Sequence, residues 1–164
     1  MAKGKTATFF IRRSLGITNS ANTLTIDTSA YVDPADRQGL MIEEVDYIFY
    51  NNSTNLPFSE QGGQAAVQLL SGAYTELQAY DEEDLISSGG VIYDDDGSVD
   101  NATDIYPDAL ATPSGRIVVD DNMTLVGLAS SAHTTFSVAV IIKCKVVTLS
   151  NKDYMALALQ TVAN

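Results

Sequence analysis

The chain has no tryptophan, a single histidine, a single cysteine, and 9 Lys and Arg against 21 Asp and Glu. Each shortage closes a class of function. General-base catalysis most often uses histidine near its working pKa. The only one here, His133, sits in "SSAHTT". Neighbouring Ser130 and Ser131 do not make a triad with it, because a triad needs three groups oriented by separate elements. His133 therefore reads as an ordinary turn residue, and the sequence predicts no catalytic site. One His and one Cys cannot fill the four positions of a zinc site. Cys144 alone allows no intrachain disulfide, and its apolar surroundings predict a buried, inert thiol. The missing tryptophan removes the commonest platform for stacking a sugar.

Charge is also scarce. Only 18% of residues are charged while 45% are hydrophobic, against about a quarter charged in ordinary domains. The surface is then covered by Ser, Thr, Asn and Gln, or part of it is buried against other chains. The net charge of -12 is uneven: Lys3, Lys5, Arg12 and Arg13 crowd the first thirteen residues, which hold no acid. An acidic body argues against a broad nucleic-acid face. No apolar run reaches membrane-spanning length, since Lys143 and Lys145 interrupt "FSVAVIIKCKVV". Nothing in "MAKGKTATFFIRRSLG" has the form of a signal peptide. Gly4, Lys5 and Thr6 lack the upstream strand and first glycine of a phosphate loop.

At 164 residues the chain suits one domain. Residues 1–16 read as an N-terminal arm or first strand, and 17–164 as a single β-sandwich domain. In "TLTIDTS" Leu24 and Ile26 share a face. "LMIEEVDYIFYNN" is a strand whose alternation slips between Ile42 and Val45, the sign of a bulge at Glu43 and Glu44. "AAVQLLSG" reads as a strand, and "AYTELQAYD" as a further alternating stretch. "DEEDLISSGG" reads as a short helix, opened by its acids and stopped by Gly89 and Gly90. Residues 91–115 then form a long acidic connection, with at most a short strand at Val91 to Tyr93.

The last third is the most regular. "GRIVVDD" and "MTLVGLASSA" are strands. In "HTTFSVAVIIKCKVVTLS" the residues Phe136, Val138, Val140, Ile142, Cys144 and Val146 fall on one face at strict period 2. "SNKDYMALALQTVAN" is a helix with Ser150 as N-cap, helped by Asp153. It is apolar around most of its circumference, which requires burial under its own sheet or against another subunit. Many short strands, turn-rich joints and little helix give a mostly β chain: an antiparallel β-sandwich, the jelly-roll favoured, with a short C-terminal helix.

Asp94, Asp96, Ser98 and Asp100 recur at alternate positions, with Asp104 nearby, as oxygen ligands do in a calcium loop. Gly97 and Ile105 depart from the EF-hand pattern. A solvated acidic loop and a possible Ca2+ site both stand as readings of this segment.

With these elements placed, the chain resembles the small β-sandwich and jelly-roll coat proteins of icosahedral viruses, phages included. The likeness rests on "MAKGKTATFFIRR", "TLTIDTSAYVD", "IEEVDYIFYNN" and "FSVAVIIKCKVVTLSNKDYMALALQ". It implies a structural, non-enzymatic virion protein, assembled in the host cytoplasm. Its partners would be copies of itself and other virion proteins, with weak or indirect nucleic-acid contact at most and no membrane. It also implies that Lys3, Lys5, Arg12 and Arg13 make an inner or inter-subunit contact. The competing class is a non-catalytic β-sandwich module for carbohydrate or calcium, with Tyr47, Phe49, Tyr50, Tyr74 and Tyr80 around a pocket.

Overall fold

A computed structural model describes residues 2–56, 63–93, 99–106, 116–131 and 136–162, with only the backbone course at 93, 99–106 and 160–162. Ten strands and one helix follow in chain order: β1 (Lys3–Gly4), β2 (Phe9–Gly16), β3 (Asn22–Asp27), β4 (Gln38–Asn51), β5 (Gly63–Ser71), β6 (Leu85–Tyr93), β7 (Val99–Tyr106), β8 (Arg116–Val118), β9 (Asn122–Ala129), β10 (Phe136–Thr148) and α1 (Asn151–Val162).

Every strand pairing is antiparallel, and the pairs nest. β2 pairs with β10, β3 with β9, β4 with β8 and β5 with β6. That is a single long hairpin of eight strands. Rolled up, it brings β10 against β4 and β9 against β5. The result is two sheets, one ordered β2-β10-β4-β8 with β1 beside the end of β10, the other β3-β9-β5-β6-β7. This double Greek key is the jelly-roll arrangement expected from the sequence.

The core lies between the two inner faces. β10 supplies it as its alternation demands: Val138, Val140, Ile142 and Cys144 are fully buried, and Phe136 is 2% exposed. Ile42 and Val45 of β4, Val67 and Leu69 of β5, and Met123 and Leu125 of β9 meet them. The bulge falls where the alternation slipped. Lys143 lies opposite Glu44 and Cys144 opposite Ile42, so Glu43 is the extra residue. A bulge turns two successive side chains toward the same side. Glu43 and Glu44 thus both reach the outer face, where Glu43 pairs with Lys145 at 2.6 Å and Glu44 with Lys143 at 3.3 Å.

Three expectations are corrected. "DEEDLISSGG" is not a helix: a turn ends at Asp84, and Leu85 onward is the buried strand β6. Strand neighbours on both sides, β5 and β7, override the local helix signals. Gly89 is needed there, because a Cβ on it would lie 2.5 Å from Tyr47 Cδ2 across the sandwich. The stretch "AYTELQAYD" is a loop of bends and turns, laid over the second sheet. The acidic connection carries more strand than expected, since β6 runs to Tyr93 and β7 pairs with it. The first sixteen residues, read as an arm or first strand, lie along β10 as β1 and β2.

Ser150 caps α1 as expected: its Oγ accepts from the Asp153 amide at 3.2 Å. A second hydrogen bond, from the Ser150 side chain to the Asp153 carboxyl, holds that carboxyl below its ordinary pKa. Burial of the helix under its own sheet is incomplete, for Met155 and Leu159 remain 58% and 63% exposed. Among the described residues no helix is long and apolar enough to cross a membrane.

Candidate functional site

Backbone periodicity disperses the four N-terminal cations. Lys3 pairs with Thr148 and Arg12 with Ile141 on β10. At the usual ~3.3 Å per residue these positions are roughly 23 Å apart. Lys5 reaches Asp36 at 3.6 Å. Arg12 is on the outer face, its guanidinium 5.3 Å from the Phe10 ring centre. Arg13, one residue on, points to the opposite side of β2 and donates to the Arg12 carbonyl. The strand fold does not gather them into one patch.

Of the candidate cation ligands, Asp94, Asp96 and Ser98 lie outside the described residues, as does His133. Asp100 and Asp104 fall within β7, whose backbone alone is described; Asp104 is opposite Gly89. Among the described residues there is no group of three or more His, Cys, Asp and Glu arranged to hold a metal ion.

Two other acids are packed closely. Tyr74 donates to Asp84 at 2.7 Å, and Ser71 donates to Asp120. Burial pushes the Asp120 carboxyl up, Ser71 partly opposes this, and the charges of Asp84 and Asp121 add to the rise. Burial and the Asp84 hydrogen bond likewise raise the Tyr74 hydroxyl. A carboxyl with a raised pKa beside a specific partner is a candidate functional acid. Here, however, the Tyr74 hydroxyl closes the 72–84 loop on itself, the Ser71 hydroxyl ties the end of β5 to the segment before β9, and neither carboxylate lines the groove described next. Their geometry is that of a structural clasp.

The outer face of the second sheet is half covered. Gln68, 2% exposed, donates to the Gln78 carbonyl at 2.9 Å and accepts from its amide at 2.7 Å. This double bond clips the 72–84 loop onto the sheet, where Tyr74 and Leu77 cover Leu70, Leu85 and Val126. Beyond the loop the sheet is bare. Cross-strand partners Ala66 and Gly90 leave a low floor. Leu77, Tyr80, Ile92 and Leu128 stand around it, enclosing a groove of about 310 Å³. Its surface is mainly apolar, with Gln64 and Ser130 at one end.

Of the five aromatics considered for a binding pocket, only Tyr80 reaches this groove. Phe49 packs on Phe136 with ring centres 5.6 Å apart, Tyr47 lies against the core, and the Tyr50 hydroxyl is 2.7 Å from Ser14 Oγ. The groove itself escaped sequence reading. Its signal was a pair of small residues, Ala66 and Gly90, whose adjacency depends on the β5·β6 register.

Apolar side chains also stand uncovered elsewhere. Phe10 and Ile48 are half exposed on the outer face of the first sheet, and Met155 and Leu159 on α1. No protein-family model matches this sequence, and no curated protein matches it.

Proposed function

We propose that this chain is a structural virion protein that assembles with copies of itself into an icosahedral capsid, or decorates one. The observation that carries the reading is the distribution of uncovered apolar side chains. Phe10 and Ile48 stand singly on one sheet, while Tyr80 and Ile92 on the other and Met155 and Leu159 on the helix give a small, sparsely charged chain two separate apolar areas. Each is of a kind that a neighbouring subunit covers. The jelly-roll is compatible with this role, although the same fold also serves lectin-like domains. Other virion proteins are the remaining partners, and the virion is the proposed location. Dispersal of the four cations argues against their acting as a single phosphate-binding arm.

The alternative, a carbohydrate-binding module, finds its best support in the groove. One exposed tyrosine and two polar residues make a thin platform for a sugar, and the other aromatics are committed to packing.

The test is the mass of the purified protein by sedimentation and light scattering, at low and high salt, with and without a calcium chelator. Closed assemblies, or stable trimers or pentamers, are expected. A 17.5 kDa monomer under every condition would refute the proposal.

A further inference from the structure

We infer that subunits join by a helix-in-groove contact: α1 of one copy docks into the groove over Ala66 and Gly90 of the next. The inference rests on the self-assembly reading and names the surfaces that would carry it.

The helix supplies one half. Lys152, Met155, Ala156 and Leu159 are all exposed, and their spacing of three, four and seven residues places them on one face. Their apolar members are the pattern by which an amphipathic helix enters a groove. The groove supplies the other half. Its volume of about 310 Å³ is twice the ~150 Å³ that accommodates a benzene ring, so it has room for two unbranched or γ-branched side chains. Charge agrees with shape. Exposed Asp81 follows Tyr80 at the groove's edge. Lys152 is the one cation in the sequence of α1. A helix carrying Lys152 beside Met155 and Leu159 is complementary to an apolar floor with one acid, Asp81, at its edge.

Geometry then dictates the kind of assembly. α1 follows β10 of the first sheet and is tethered where Arg37 donates to Asn151 at 2.5 Å. The groove is on the outer face of the second sheet. Helix and groove are different surfaces of the chain, so a contact made one way round is heterologous, runs from copy to copy and closes as a ring or shell, whereas a reciprocal exchange of helices closes as a two-fold dimer. A symmetric pairing of two α1 helices would leave the groove bare.

Sedimentation velocity on two variants and their mixture tests this. Met155→Glu/Leu159→Glu disables the helix at exposed positions, and Ala66→Arg fills the groove; Ile92→Glu replaces the latter if Ala66→Arg lacks the native circular dichroism spectrum. Each variant alone is expected to need at least about tenfold more protein to assemble than the unaltered chain. The mixture retains one intact helix and one intact groove, and is expected to form dimers and stop there. A helix variant that assembles like the unaltered chain would overturn the inference while leaving self-assembly standing, as would a mixture that stays monomeric. A monomeric unaltered chain would remove both.

Discussion

Replacing Gly89 by alanine should destabilise the fold, and replacing Tyr47 as well should abolish that effect. The new Cβ would lie 2.5, 2.7 and 3.0 Å from Tyr47 Cδ2, Cγ and Cβ. Carbon atoms attract best at about 3.5–4.0 Å, so the two groups must separate by roughly 1 Å. Rotating the tyrosine cannot clear the clash, because two of the three atoms are at the root of its side chain. The strands must move instead, and overpacking of this kind costs about 1–3 kcal/mol. With Tyr47→Ala the two ring atoms are gone. Alanine in a strand interior is otherwise better than glycine by roughly 0.5–1 kcal/mol, which offsets the strain left by the Cβ at position 47, still 3.0 Å away, so the Gly89→Ala effect should fall to about zero. Urea denaturation of the four proteins of the cycle, at one protein concentration, reads the difference as a shift in midpoint at constant slope. Equal destabilisation by Gly89→Ala in both backgrounds would refute the contact.

Two further outcomes follow from ionisable groups on either side of the bulge. The hydrogen bond to Lys145 holds the Glu43 carboxyl below its ordinary pKa. A carboxyl lowered by folding adds stability above its unfolded pKa and loses it as pH falls through the folded value. Glu43→Gln should therefore cost about 0.5–1 kcal/mol at pH 7. The gap should shrink below about pH 4; a gap unchanged by pH would show that the ion pair contributes nothing. Burial, helped by the charge of Glu43, pushes the Cys144 thiol up to about 12. The folded protein should leave a thiol reagent at pH 8 unreacted until denaturant is added, and rapid labelling of the native chain would contradict the packing around β10.

Side chains that obey a local rule were the legible part. Period-2 alternation in β10 set its core face, the slip at Glu43 gave the bulge, and Ser150 gave the cap. What misled were residues whose placement depends on distant strands. Gly89 and Gly90 resemble a helix stop, yet one makes room for Tyr47 from the other sheet and the other lowers the groove floor. The alternation of "AYTELQAYD" resembles a strand, but the amide of Gln68 holds that segment as a loop cover. The groove needed the register of β5 on β6 and was invisible for the same reason. The mass of the native protein in solution tests for the neighbours of the chain.

The nesting of strands also sets a timetable. β10 stands between β2 and β4, so among the described residues β2 has no strand partner and β4 has only the short β8 until Phe136–Thr148 has been made. Synthesis at about 5–20 residues per second leaves the apolar side of β4 waiting roughly 5–20 seconds after it emerges. Such distant pairings are also slow to close. The helix proposed to join subunits is made later still, directly after β10. Under that proposal a nascent chain gains its means of attachment only once the strand that completes its own sheet exists, which would separate folding of each subunit from its recruitment by the next.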